Sequence, residues 1–300
     1  MKSELIRFFL FLFLLSLIAS SISSFRSKDK AYLYADGGLT QVTSNENDSI
    51  LTSFVLPFGE FWKNILLENG GKTESGESVY SHIFSRFLPT LHLSLFAILF
   101  GSVGGIVISL FALYLGSRTL DLFFKSVSEI ILSTPIFVAA VLLLLFFFYK
   151  WELFPPGGYE PWNTYYVVLP GLALGMRVFA RIYIFQSKEV WQEADSQYVL
   201  LLKTRGYPWR HIVFREIFLK LFPVTMILIV LDFGSLLSGA MVVEEIFFFP
   251  GIGKSLYFSI KSMDSRLLAT LLLYTGIVFY IVNRSALYWQ KKLSGEGEHA

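Results

Sequence analysis

Two long stretches without a formal charge constrain this chain more than any other feature. Residues 87–117 and 130–149 contain no Asp, Glu, Lys or Arg. About 20 apolar residues in a helix cross the hydrocarbon core of a bilayer, so each stretch is long enough to span. The composition agrees, with 54% hydrophobic, 17% aromatic and only 16% charged residues among 300. These features predict an all-α integral membrane protein. They exclude a soluble enzyme, a nucleic-acid-binding module and a disordered chain. A formal charge of +2 is too small to attract nucleic acid. The absence of Cys removes disulfide frameworks and thiolate metal sites without naming a compartment.

Six apolar segments are candidate spans: 8–25, 88–116, 122–149, 162–184, 221–243 and 267–288. Lys2 and Arg7 precede the first, which ends in Ala19, Ser20 and Ser21 as a secretory signal peptide would. Its length favours a retained transmembrane helix (1–25) over a cleaved signal. Basic residues orient the bundle. Residues 188–220 hold Lys188, Lys203, Arg205, Arg210, Arg215 and Lys220, and Lys291 and Lys292 follow the last span. An even number of spans puts both termini and this loop on one side, expected to be the cytoplasm, with 291–300 as a tail. Residues 26–86, with eight acids against six bases, then fall outside.

Within that outer segment, Asp36-Gly37-Gly38 between 32–35 and 39–43 predicts a hairpin. Phe58, Phe61, Trp62, Ile65 and Leu66 recur at helical spacing before Asn69-Gly70-Gly71. A second stripe, Val79, Tyr80, Ile83, Phe84 and Phe87, predicts an interfacial helix ahead of Pro89. Ala97, Gly101, Gly105 and Ser109, Gly171 and Gly175, and Ser235 and Gly239 recur at four-residue spacing, as close helix packing requires.

Candidate chemistry is sparse. Residues 250–255 end like a phosphate-binding loop, but Phe248 stands where the first glycine belongs, so a tight turn is expected. No His pair has a metal-ligand spacing, and no metal or catalytic residue is assigned. An intramembrane serine hydrolase using His92 is a remote alternative. Asp232 inside the fifth span is costly in hydrocarbon and should face a cavity or a partner. Arg177 and Arg181, one turn apart, are candidate partners, unless both snorkel to the surface. Asp232 and Arg177 are therefore assigned to a translocation pathway. The basic loop reads as a short amphipathic helix, a break at Gly206-Tyr207-Pro208, and a second helix entering the fifth span. Such a loop can lie on lipid headgroups or dock on a protein, which leaves open an unrelated transporter or channel.

The chain resembles the membrane permease subunit of bacterial ABC importers of the dipeptide, oligopeptide and nickel type. The resemblance covers roughly residues 78–290 and lies in collinear motifs. Tyr198-Val199 through Lys203, Arg205 and Gly206, with Arg210, Ile212, Arg215 and Pro223, resembles the family's ATPase-coupling loop. Arg86-Phe87-Leu88-Pro89-Thr90, Ser133-Thr134-Pro135-Ile136-Phe137, Phe154-Pro155-Pro156-Gly157-Gly158-Tyr159 and Leu169-Pro170-Gly171-Leu172 match in order. Gly239-Ala240 through Glu244, Phe247 and Pro250-Gly251-Ile252-Gly253 completes the set. Leu200-Leu201-Leu202 departs from it, since many related permeases carry Glu-Ala-Ala there. The resemblance implies a type I ABC importer permease fold with about six transmembrane helices, its core at 87–290, in the bacterial inner membrane. It implies a second permease subunit, two cytoplasmic ATPase subunits, an extracytoplasmic solute-binding protein and surrounding lipid as partners. This chain would bind no cofactor, with ATP and Mg on the ATPase subunits, and the cargo would be peptides or related small solutes.

Overall fold

The structure, a computed structural model, describes residues 2–35, 50–67, 70–73 and 75–293. Apart from an isolated antiparallel bridge between Lys72 and Ser78, the regular structure of these residues is helical. α1 (Lys2–Ala35) and α2 (Ile50–Leu67) come first, and α3 (Val79–Tyr114) follows. α4 (Arg118–Ser133) and α5 (Ile136–Leu143) meet at a 104° bend, and α5 continues through a π-helical turn over Leu144–Lys150. α6 (Val168–Ala194) leads into α7 (Gln197–Thr204). α8 (Trp209–His211) passes through a π-helical stretch, Ile212–Ile217, into α9 (Phe218–Leu237). The short α10 (Met241–Ile246) and α11 (Ile252–Lys261) precede α12 (Ser265–Leu293).

Among the described residues, four helical segments are long and apolar enough to cross a membrane: Val79–Tyr114, Val168–Ala194, Trp209–Leu237 and Ser265–Trp289. The bent α4–α5 pair makes a fifth if it counts as one span. The expected first span is a shorter apolar stretch, Ile6–Ile22, within α1. It packs along α12, where Leu15 fills the space beside Gly276 and the Phe11 ring stacks on Tyr280 at 4.9 Å.

Three expectations about local structure are corrected. Residues 122–149 do not form one helix. Pro135 has no N–H and its ring disfavours a helical residue before it, so Thr134 is extended (φ −79°, ψ 129°) and the chain bends there. The hairpin expected across 32–43 is not formed as read: residues 32–35 continue α1, and 39–43 lie outside the described residues. The stripe beginning at Val79 is not a separate interfacial helix. It opens α3, which runs on through Pro89, and Val79 and Ile83 are buried against Ile252, Leu256, Leu267 and Leu271.

The closest helix pairing is α3 against α6, and small residues allow it. A Cβ on Gly101 would stand 2.6 Å from the Gly175 carbonyl oxygen, and one on Gly175 would stand 3.1 Å from the Ala97 carbonyl. No larger side chain fits between these backbones. The Ser235–Gly239 spacing does not act this way. Ser235 is exposed, Gly239 ends α9, and it is Gly234 that packs closely, against Val282.

Candidate functional site

Three features stand out: a charged cavity between α6 and α9, and a chain reversal near each end of α3. The cavity, about 270 Å³, is lined by Arg177, Arg181, Asp232, Ser235 and apolar residues of α5, α6 and α10. Arg177 and Arg181 lie four residues apart, so both project from one face of α6. Arg181 pairs with Asp232, which is 5% exposed. Arg177 instead donates from Nη1 to the Thr134 carbonyl at 3.1 Å, at the α4–α5 bend. Both sequence-assigned residues, Asp232 and Arg177, therefore line one cavity, and the ion-pair partner of Asp232 is Arg181. The second carboxylate oxygen of Asp232 is buried without a hydrogen-bond partner.

Near the start of α3, α9 ends at Gly239 (φ +110°), and α10 and a tight turn lead into α11. Thr90 and Glu244 hold this reversal. Thr90 Oγ1 donates to Glu244 Oε1 at 3.2 Å and accepts the Ile252 N–H at 2.8 Å. Glu244 Oε2 accepts the Lys254 N–H at 2.9 Å. A carboxylate at the first turn of α11 satisfies backbone donors that the helix itself leaves unpaired and complements its dipole. Glu244 has no exposed surface, and Phe247 and Phe249 beside it are also fully buried. The phosphate-loop-like segment is thus a packed turn with Phe248 at φ +50°, as expected. Sequence reasoning placed Glu244 in a motif but gave it no partner, since Thr90 lies 154 residues away.

Two histidines bear on the hydrolase alternative. His92 packs against the Tyr159 and Trp162 rings. His82 Nε2 lies 3.0 Å from Ser255 Oγ and its Nδ1 lies 3.1 Å from Glu77 Oε2, a Ser–His–Glu row. Ser255 is 3% exposed and its hydroxyl also bonds the Gly251 carbonyl. Its oxygen lacks the exposure a nucleophile needs, so the row fastens Glu77 and the start of α3 to α11.

The other reversal, near the end of α3, is built differently. Ser196 caps α7 by accepting the Val199 N–H, and the helix closes with two bonds, Tyr207 N–H to the Leu202 carbonyl at 3.2 Å and Gly206 N–H to the Lys203 carbonyl at 3.0 Å. This pair of bonds around a left-handed residue is a Schellman motif, and Gly206 (φ +82°) supplies the angle. Val199 and Leu202 are buried against Leu113, Val190, Ile212, Val213 and Ile217. Tyr198 donates to Glu216 at 2.7 Å, a bond that holds its hydroxyl above the ordinary tyrosine pKa. Lys203, Arg205, Gly206 and Arg210 are exposed, as are Leu200 (62%) and Leu201 (48%). Of the loop residues assigned from sequence, Val199 anchors the short helix and the others face outward. The two-helix form with a glycine break is the one expected.

Residues 101–294 match the family of binding-protein-dependent transport system inner membrane components. The chain belongs to that family. It is a multi-pass inner-membrane permease of an ABC transporter, and the hydrolase and unrelated-channel alternatives are not favoured. It is similar to the glutathione transport system permease protein GsiC of Escherichia coli K12, with 26% identity over 236 residues covering 75% of this chain and 74% of that one. The GsiC proteins of Salmonella paratyphi A, over 228 residues, and of Shigella flexneri serotype 5b, over 236, show the same identity and coverage.

Proposed function

We propose that this permease imports small peptides or peptide-like solutes and is driven by separate ATPase subunits that dock on α7. The observation that carries the docking is the split character of α7. One face is locked into the bundle through Val199 and Leu202, while Leu200, Leu201, Lys203 and Arg205 are presented outward. A rigidly anchored helix with an exposed mixed face transmits force from whatever binds it. ATP and Mg belong to those ATPase subunits, a second permease subunit completes the pathway, and an extracytoplasmic binding protein delivers cargo. Peptide-like cargo is supported by the similarity to proteins named for glutathione transport. The asymmetry of basic residues supports a topology with α7 and both termini in the cytoplasm and the segment around Ser75 outside.

The test is co-expression with the cognate ATPase subunits. Wild type should copurify with them, and Lys203→Glu combined with Arg205→Glu should lose them while still inserting. In the Cys-free chain, an impermeant thiol reagent should label Ser75→Cys on intact cells and Gln197→Cys only after permeabilisation. Retention of the ATPase by the charge-reversed variant would sink the docking face, and the opposite labelling pattern would invert the topology.

A further inference from the structure

We infer that Arg177 selects the cargo by binding a carboxylate on the passing solute, an assignment that rests on the permease reading above. The first support is the charge balance of the cavity. Two guanidinium groups, Arg177 and Arg181, face one carboxylate, Asp232, which leaves one positive charge (2 − 1 = +1). The ion pair decides which arginine carries it. Arg181 is committed to Asp232, and among the described residues no carboxylate pairs with Arg177.

The second support is donor chemistry. A guanidinium has five N–H donors in one plane, and a carboxylate takes two of them side by side. Arg177 uses one nitrogen, Nη1, on the Thr134 carbonyl. That carbonyl stands just before Pro135, where the α4–α5 bend takes it out of the helical ladder. The bond tethers the guanidinium to the cavity wall and leaves its other nitrogens for a ligand. An unpaired charge at membrane depth is expensive, and such residues mark substrate paths. A cation or a neutral solute would leave the charge unmatched. A solute with one more carboxylate than ammonium would match it, and glutathione, with two carboxylates and one ammonium, has that balance.

The third support is the state of Asp232. Its free oxygen is buried, so a solute ammonium does not reach it without breaking the Arg181 pair. The cavity therefore discriminates through the anionic end of its cargo.

The experiment uses the whole transporter, with binding protein and ATPase, in liposomes, and measures ATP-dependent uptake of labelled glutathione and labelled glycylglycine. Arg177→Cys introduces a unique cysteine into this chain. Glutathione uptake should fall about tenfold or more, the range expected when a hydrogen-bonded charge pair is lost, and uptake of the neutral zwitterion glycylglycine should fall less; an equal fall for both probes would overturn the selective role. Copurification of the ATPase subunits should hold, which separates this loss from misfolding. Aminoethyl methanethiosulfonate, which rebuilds a cation on that cysteine, should recover much of the uptake, and the sulfonatoethyl reagent should not. Arg177→Lys, which keeps the charge without the planar fork, should lie between the cysteine variant and wild type. Wild-type uptake from Arg177→Cys, or equal rescue by both reagents, would overturn the assignment. Failure of the wild-type transporter to import either probe would instead show that the peptide-cargo reading is wrong, and the carboxylate role would fall with it.

Discussion

The chain reverses direction near each end of α3 on a glycine with left-handed backbone angles, and the two corners have opposite surroundings. At Gly206 (φ +82°) an added Cβ would meet nothing within 4 Å. At Gly239 (φ +110°) it would lie 2.7 Å from the Gly253 nitrogen and 2.8 Å from its Cα. Both corners need an angle that L-residues avoid, but only the second also needs the missing side chain. The Gly206 corner is exposed and is closed by backbone bonds of α7 itself. The Gly239 corner is pinned by two buried side chains, Thr90 of α3 and Glu244 of α10, which bond each other and accept backbone N–H groups from the first turn of α11. A backbone conformation alone does not say whether a corner is open or clamped. The atoms around it do.

Substitution at the crowded corner should have the largest effect on stability. Gly239→Ala faces two costs, about 1–2 kcal/mol for the left-handed angle and about 1–3 kcal/mol for overpacking against backbone. The neighbouring atoms are main chain, so they cannot swing aside as a side-chain end would. Detergent-solubilised Gly239→Ala should unfold at markedly lower temperature than wild type, and Gly239→Asn should do no better. Recovery of stability in Gly239→Asn would mean that angle alone governs this corner too, and the contrast with Gly206 would vanish.

How far this contrast is legible in the sequence depends on the distance over which each contact acts. The charge-free runs and the break before Pro135 are local, and so is the period change at Gly206-Tyr207-Pro208. The small-residue stripe of α3 could also be read, because four-residue spacing puts Ala97, Gly101 and Gly105 on one face. The same spacing misleads at Ser235 and Gly239, since it does not distinguish a packed face from a helix terminus. The choice of Arg181 over Arg177 as the partner of Asp232 was also hidden. Both arginines share a face of α6, and the rotation of α9 decides between them. Thr90 gave no signal as a hub, because a lone threonine near a proline has no local pattern marking a distant carboxylate.

Thr90→Val should have an intermediate effect and sharpen the account of the clamp. The substitution keeps the shape but removes an acceptor for the Ile252 N–H and a donor to Glu244. Each buried group left without a partner costs about 1–3 kcal/mol, so a loss of about 2 kcal/mol or more is expected. Thr90→Ser keeps the hydroxyl and should retain most of the stability. Chemical denaturation in mixed micelles compares the pair. Wild-type stability in Thr90→Val, or a larger loss in Thr90→Ser than in Thr90→Val, would show that methyl packing and not the hydrogen bonds holds this corner.

The smallest effect on stability is expected at Gly206, and there the loss should appear in coupling instead. Asn tolerates left-handed angles better than other L-residues with a side chain, and the space around Gly206 is open. Gly206→Asn should therefore fold, insert and retain ATPase binding, at a cost of about 1 kcal/mol or less. Gly206→Val is different because a β-branched residue is a genuine outlier at positive φ. The chain can escape that strain by opening the bonds from Tyr207 to Leu202 and from Gly206 to Lys203, which frays the end of α7. Val199 and Leu202 remain in the buried cluster, so the bundle should unfold within about 1–2 kcal/mol of wild type. The exposed residues Lys203 and Arg205, at the frayed end, would lose their fixed orientation. ATPase retention should then fall in Gly206→Val and persist in Gly206→Asn, with thermal unfolding nearly equal in the two. Matching ATPase retention in both variants would show that docking does not depend on the geometry of this corner, and would leave the charges of Lys203 and Arg205 as the determinant.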